Sequence, residues 1–376
     1  MADFAKINGV AAADIAKIDG VTKSSISAFV GCTTPSEGAT RWVMVHDDRN
    51  VSHIPVAEIS ASSGGWSTYD AFAGGSSPNP SGGNDHIHVA YGKDGNGDAL
   101  WVATYATDAC EIAYHDDPTT GPWTGVSQDS AGNNFPARRF AVLWGNDVWI
   151  SVGKMGTQAI MRSVDGSSWA QIDVSGVDDI NTTAIYALAS DGAGNWWFAQ
   201  ENRIYESTND GSTWSLKHTL VDSSNADPGN IRALVYTNST LVAGVDASDA
   251  TVYSAAASDL TDWSTETTLN NSAQAFDQQT HVAAAAGRVV VVGQQKKWTF
   301  DVSGKTITMD ENGADFSTTT HGTLSSVSTD GTTWVATCYT GDTFVSTDGG
   351  DSWAEIASNV GSKDALDAAP DVYLPL

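Results

Sequence analysis

A short tryptophan-anchored cassette recurs along the chain, and its period constrains the fold more than any other feature. An apolar strand is followed by a polar turn, a second strand, and a further turn closed by Trp. The strand anchors are Trp42-Val43-Met44-Val45, Trp101-Val102-Ala103-Thr104, Trp149-Ile150-Ser151-Val152, Trp197-Phe198-Ala199, Leu241-Val242-Ala243-Gly244, Val290-Val291-Val292-Gly293 and Trp334-Val335-Ala336-Thr337. They stand 59, 48, 48, 44, 49 and 44 residues apart. A period of about 45 residues holds four short antiparallel strands with tight turns, and is too short for an independent domain. The chain is therefore expected to be all-β: a seven-bladed β-propeller of four-stranded antiparallel blades.

The closing tryptophans are Trp66, Trp123, Trp169, Trp214, Trp263 and Trp353, each 17 to 24 residues after its partner. Eleven of the fourteen tryptophans fall into this scheme, as expected where each sheet must fill a widening wedge against its neighbour. The sixth unit departs from it, with Trp298 early and only Phe316 late.

Around the closing tryptophans runs Ser-x-Asp/Asn-x-Gly-x-x-Trp. Ser207, Asn209, Gly211 and Trp214 fit it in full, as do Ser346, Asp348, Gly350 and Trp353; Ser163, Asp165, Gly166 and Trp169 are one residue short. This motif resembles the Asp box, or bacterial neuraminidase repeat. The resemblance implies a structural turn lying away from the active face of such propellers, so these acids are not read as catalytic. The residues carry the same message: Asp or Asn accepts nearby backbone N–H groups, Gly takes a positive φ, and Trp seals the hairpin.

Residues 1–35 lie outside the repeat and form an arm before a ring at 36–376. Ala5-Lys6-Ile7-Asn8-Gly9-Val10 returns as Ala16-Lys17-Ile18-Asp19-Gly20-Val21, and Asn-Gly and Asp-Gly within Ile/Val pairs predict two tight turns, with room for a helical turn or two over Ala11 to Ala16. The arm is read either as a tail or ring-closing strand, or as a docking element. The pattern resembles N-terminal segments of tailed-bacteriophage virion proteins, which implies an anchoring role for Ile7, Val10, Ile18 and Val21. At the other end, Val372-Tyr373-Leu374-Pro375-Leu376 is apolar enough to pair into the first blade and close the ring. Gly74 to Gly83 reads as a loop that lengthens the first interval.

Composition narrows the function. Eighteen basic against forty-five acidic residues give a net charge of −27, which repels a phosphate backbone and argues against nucleic acid. No run of about 18 apolar residues offers a membrane span, and MADFAKINGV does not open like a signal peptide. Cys32, Cys110 and Cys338 are read as reduced, mostly buried thiols.

Catalytic sets were sought against this background. Sialidases, the enzymes the Asp-box resemblance brings to mind, need an arginine triad, a Tyr–Glu pair and an early Arg-Ile-Pro; the nearest match is His53-Ile54-Pro55, among eight arginines. Asp94-Gly95-Asn96-Gly97-Asp98 begins like a calcium loop but has Ala99 in place of Gly and Tyr105 in place of the bidentate Glu, so it reads as a hairpin turn. His86 and His88 share a strand face without a third ligand, and Ser303-Gly304-Lys305-Thr306 imitates only the end of a P-loop. Arg138-Arg139 and Lys296-Lys297 read as solvated surface pairs or local anion contacts.

The resulting expectation is a structural protein of a bacteriophage virion, on capsid, tail or fibre, made in the host cytoplasm. It is neither an enzyme nor dependent on a cofactor or metal. The arm joins other virion proteins, and the ring contacts proteins or host surface glycans. The alternatives are a cellular lectin-like or assembly-factor propeller, and a divergent sialidase-like glycoside hydrolase.

Overall fold

The strands that carry the first anchors are apolar on both faces, which a sheet open to water on one side does not support. RWVMVH over Arg41–His46, VWISVG over Val148–Gly153 and WVATC over Trp334–Cys338 are buried almost throughout. Such strands need a sheet against each face, and a closed ring of sheets supplies both.

The computed structural model describes residues 41–46, 50–55, 66–71, 87–105, 112–135, 139–153, 159–178, 180, 183–246, 250–270, 282–293, 296–316, 323–338 and 341–357, together with the backbone pairing of 6–7, 10–11, 17–18, 21–22 and 366–370. It is a seven-bladed propeller of four-stranded antiparallel sheets, and no helix occurs among the described residues. Blade two comprises Ile87–Lys93, Ala99–Tyr105, Ile112–His115 and Thr124–Val126. Blade three is Arg139–Gly145, Val148–Gly153, Ile160–Ser163 and Ala170–Gln171. Blade four is Ala187–Ser190, Trp196–Gln200, Arg203–Ser207 and Ser215–Thr219. Blade five is Asn230–Thr237, Thr240–Asp246, Thr251–Ala256 and Thr267–Thr268. Blade six is Val282–Ala285, Arg288–Gly293, Lys296–Ser303 and Thr306–Asp315. Blade seven is Leu324–Thr329, Trp334–Cys338, Thr343–Ser346 and Ala354–Ala357.

Blade one is built from both ends of the chain. Leu366–Pro370 supplies its first strand, pairing with Arg41–His46 from Leu366 opposite His46 to Pro370 opposite Trp42, and Asn50–Pro55 and Ser67–Asp70 complete it. The closing strand thus precedes Val372–Leu376, the segment expected to close the ring, which lies outside the described residues. First strands of successive blades are neighbours all the way round, with Leu366–Pro370 between those of blades seven and two.

Each core cluster is shared by two adjacent blades, and both anchors of a blade face the blade before it. Trp42 and Trp66 pack with Val335 and Val345 of blade seven; Trp101 and Trp123 pack with Val43 and Val51 of blade one. Trp149 and Trp169 face Leu100 and Val102 of blade two, and Trp334 and Trp353 face Val290 and Val292 of blade six. Two expected anchors are one residue out of phase. In blade four the side chain facing back is Trp196, whereas Trp197 faces blade five; in blade six it is Val289, whereas Val290 faces blade seven. Alternation along a strand reverses the face at every step, so a one-residue choice decides which interface a side chain fills. Blade six fills its back face with Trp298 from its third strand, and Phe316 stacks forward on Phe344 and Trp353 at 5.1 and 4.9 Å.

Turn chemistry fits the strands it joins. The first hairpins of blades three, five and six use two-residue turns with both φ values positive, at Asn146-Asp147, Asn238-Ser239 and Ala286-Gly287. Such turns match the right-handed twist of paired strands.

Two outcomes follow. Removing residues 361–376 takes away the closing strand and is expected to lower Tm by more than about 10 °C, the shift expected from losing several kcal/mol. Removing residues 1–35 is expected to move Tm by less than about 2 °C, as read by circular dichroism, because among the described residues the arm's strands pair only with one another.

Candidate functional site

The third-to-fourth strand turns repeat one hydrogen-bonding device. In blade four the Ser207 hydroxyl donates to Asn209 Oδ1 at 2.9 Å and accepts the Gly211 N–H at 3.0 Å, Asn209 Oδ1 accepts the Thr213 N–H at 3.0 Å, and the Trp214 indole donates to the Gly211 carbonyl at 3.0 Å. In blade seven the Ser346 hydroxyl donates to Asp348 at 2.7 Å and accepts the Gly350 N–H at 2.9 Å, Asp348 accepts the Ser352 N–H at 2.9 Å, and Trp353 donates to the Gly350 carbonyl at 2.9 Å. Blade three keeps the same set with one residue fewer, through Ser163, Asp165, Gly166 and Trp169. Blade five retains the closing bond, from Trp263 to the Leu260 carbonyl at 2.8 Å, and an acid that accepts a turn amide, Asp259 from the Thr261 N–H at 3.1 Å.

These turns also act as sockets between blades. Gly211 sits over Ile150 of blade three at φ +72, and Gly350 over Val290 of blade six, leaving no space for a side chain. Arg162 of blade three donates to the Asp210 carbonyl at 2.7 Å, and Arg288 of blade six to the Gly349 carbonyl at 3.0 Å, so the carbonyl before the turn glycine is capped from the preceding blade. Arg288 further pairs with Asp301, Asp310 and Asp351. Lys297 is buried, donates to the Asp351 carbonyl and forms an ion pair with Glu311 at 2.7 Å, which corrects its reading as a solvated surface charge. Arg139 is likewise buried and donates to the Ala159 carbonyl at 3.1 Å; Arg138 lies outside the described residues.

The other sequence candidates resolve locally. Asp94 accepts the N–H groups of Asn96 and Asp98 at 2.8 and 2.9 Å, and Asp191 accepts those of Ala193 and Asn195 at 2.8 and 3.0 Å, so both loops are hairpin turns of one construction. Ser303-Gly304-Lys305-Thr306 is a turn leading into a strand, with Lys305 paired to Asp262 at 2.7 Å. His53 is the cross-strand partner of Val43 and takes a 2.8 Å bond from Arg41. Burial, then the neighbouring Arg41, hold its pKa below the usual value. His88 lies on the first strand of blade two, and no three His, Cys, Asp or Glu side chains converge for a metal among the described residues. Cys338 is buried and free, with its thiol pushed up by burial and then by Asp342; Cys32, Cys110, His86 and the Gly74–Gly83 loop lie outside the described residues.

Two features remain available to partners. In the arm Lys6–Ile7 pairs with Val10–Ala11 and Lys17–Ile18 with Val21–Thr22; the turns expected at Asn8-Gly9 and Asp19-Gly20 lie outside the described residues. Val10–Ala11 is strand, which takes Ala11 out of the helical stretch expected from there to Ala16. The second feature, not apparent in the sequence, is a cleft of about 660 Å³ between blade two and the shortened turn of blade three. Its walls include Asp94, Leu100, Tyr114 and Asp116 on one side and Val164 and Asp165 on the other. The signal that bears on it is the missing residue between Ser163 and Trp169.

No protein-family model matches the sequence, and no curated protein matches it. Among solved structures, the chain is similar to the WD40 repeats of RRP9, with a TM-score of 0.52 and 10% identity over 88% of this chain and 91% of that one. It is also similar to YCF48 from Cyanidioschyzon merolae, with a TM-score of 0.48 and 17% identity over 74% of this chain and 86% of that one. YCF48 bound to D1 peptide gives a TM-score of 0.49 at 14% identity, over 72% and 80% of the two chains. At these identities the likeness concerns the fold.

The turn carboxylates tie stability to acid. Burial alone raises the Asp348 pKa, but hydrogen bonds from the Ser352 hydroxyl and amide and from Ser346 outweigh it and hold the carboxyl at about 2, against an ordinary 3.8. A pKa depressed by folding stabilises the ring above pH 3.8, and that contribution is lost as pH falls toward 2. Asp348→Asn is therefore expected to flatten the change in urea midpoint across this window. Gly211→Ala is expected to cost about 1–3 kcal/mol, measured by urea unfolding, with Gly176→Ala, which meets nothing within 4 Å, as the neutral comparison.

Proposed function

We propose that the chain is a non-catalytic binding propeller of the Asp-box class, carried as a structural component of a tailed-bacteriophage particle. Residues 1–35 anchor it, and residues 36–376 are displayed to partner proteins or host surface glycans. The observation that carries this reading is the division of labour between the two ends of the chain. Leu366–Pro370 closes the ring, and among the described residues the arm's strands pair only with one another, so none of those strands takes part in blade pairing, which supports a docking role. An isolated two-stranded hairpin is marginal in water and gains stability on a partner surface. The particle itself is inferred from the AKINGV and AKIDGV segments, and the Asp-box class from the three turns that share one set of hydrogen bonds.

Side-chain chemistry supports a role without catalysis. A Tyr–Glu pair is present in blade five, where the Tyr253 hydroxyl donates to Glu266 at 3.4 Å. Burial and then the charge of Glu266 push its pKa up to about 12, away from the ionisation a nucleophile needs. Arg203, Arg232 and Arg288 are engaged with carboxylates, and Arg139 and Arg162 with carbonyls, which leaves these guanidiniums committed within the fold.

Quantitative mass spectrometry of purified particles tests the reading, comparing the full chain with one lacking residues 1–35. Stoichiometric incorporation of the full chain, abolished by the deletion, is expected. Absence of the full chain from particles overturns the virion role, and turnover of a fluorogenic sialoside that Tyr253→Phe abolishes overturns the non-catalytic one.

A further inference from the structure

The cleft between blades two and three has walls of two kinds. Leu100, Tyr114 and Val164 give it apolar and aromatic surface, and Asp94, Asp116 and Asp165 give it carboxylates. Val164 is 54% exposed, one of two large apolar side chains so open among the described residues, and it stands on the lip of the cleft. The turn that carries it has one residue fewer between Ser163 and Trp169 than the turns of blades four and seven. Opposite, the third-to-fourth strand turn of blade two, Asp116 to Trp123, lacks the Ser-x-Asp/Asn-x-Gly pattern altogether. The gap therefore opens where two departures from the repeat meet.

Hydrogen bonds favour the ionised form of two of the carboxylates. Asp94 is held below the usual carboxylate range chiefly by the Asp98 amide. For Asp165, burial raises the pKa, but the Ser168 and Ser167 amides outweigh it and the net shift is downward. Asp116 is largely exposed and lies 3.2 Å from the His115 ring. A compact metal ion is a poor match, since no three potential ligands converge among the described residues. An organic cation on an apolar stem fits both kinds of wall: its methylenes pack on Leu100 and Val164, its charge meets the carboxylates, and Tyr114 offers an aromatic face. At about 660 Å³ the space holds a long side chain with its flanking backbone.

We infer that the cleft between blades two and three is a docking site for a lysine- or arginine-bearing segment of a partner protein, with Asp94, Asp116, Asp165 and Tyr114 receiving the cation and Leu100 and Val164 its stem. The assignment rests on the binding role proposed above and is independent of the particle. The net charge of −27 draws such segments toward the ring, and the cleft supplies the local fit.

The test uses fluorescence anisotropy of a capped peptide of repeated Gly-Lys-Ser units and of its counterpart with every lysine acetylated. At about 0.15 M salt the screening length of about 8 Å suppresses attraction to the overall charge. Val164→Lys with Asp116→Asn changes the cleft at two exposed positions. Val221→Lys with Asp178→Asn makes the same charge change on fourth-to-first strand connections, at the opposite end of the blades. The cleft variant is expected to weaken cationic-peptide binding at least about tenfold, the comparison variant less than about twofold, and the acetylated peptide should not bind. Equal loss in both variants, no binding of the cationic peptide to the unaltered chain, or equal binding of the acetylated peptide overturns the site. Particle incorporation is measured separately, so loss of the cleft site and loss of the virion role are distinguishable.

Discussion

The ring depends on each blade handing its bulkiest side chains back to the blade before it. Two flat sheets meeting at a wedge leave a gap that widens from the axis, and an indole is the largest group a strand can place there. Trp101 and Trp123 fill it between blades one and two, Trp149 and Trp169 between two and three, and Trp334 and Trp353 between six and seven. Because every interface must be filled at once, the closing pair of Leu366–Pro370 with Arg41–His46 secures all of them. Without it the first and last blades each expose a face that the sequence makes apolar.

The acidic residues acquire meaning from this arrangement. Asp165 and Asp348, with the neutral Asn209 in the corresponding place of blade four, bind the turns that carry the outer tryptophans, and Asp94 and Asp191 bind the inner hairpins. Bonds from backbone amides favour the ionised form of Asp94, Asp165 and Asp348, so their turns are held by charges that need no counter-ion inside the protein. The basic side chains serve similarly: Arg162, Arg288 and Lys297 each reach the carbonyls of the next blade's turn. A chain so short of cations spends several of them on its own interfaces.

Irregularity in the repeat marks where the surface departs from the sealed pattern. Where the turn is complete, glycine seats against the neighbouring blade and the interface is sealed, as Gly211 does over Ile150. The shortened turn of blade three likewise seats Gly166 on Leu100, and the open space lies beside that contact, where blade two has no such turn. The arm is the other departure, two short strand pairs that, among the described residues, join no blade.

Period and tryptophan spacing determined the number of blades, the four-stranded sheet and the positions of the closing turns, because a strand buried on both faces and a turn needing positive φ each demand particular residue types. Asn8-Gly9 and Asp19-Gly20 announced the arm's hairpins for the same local reason. Only the tertiary structure decided which face each anchor serves, since Trp196 and Trp197 are equally bulky neighbours and register alone separates them. It also decided that Leu366–Pro370 closes the ring, that Lys297 is an interior tie, and that a cleft opens beside Val164. These depend on contacts between segments tens to hundreds of residues apart, and nothing in the residues on either side of such a contact states the distance between them.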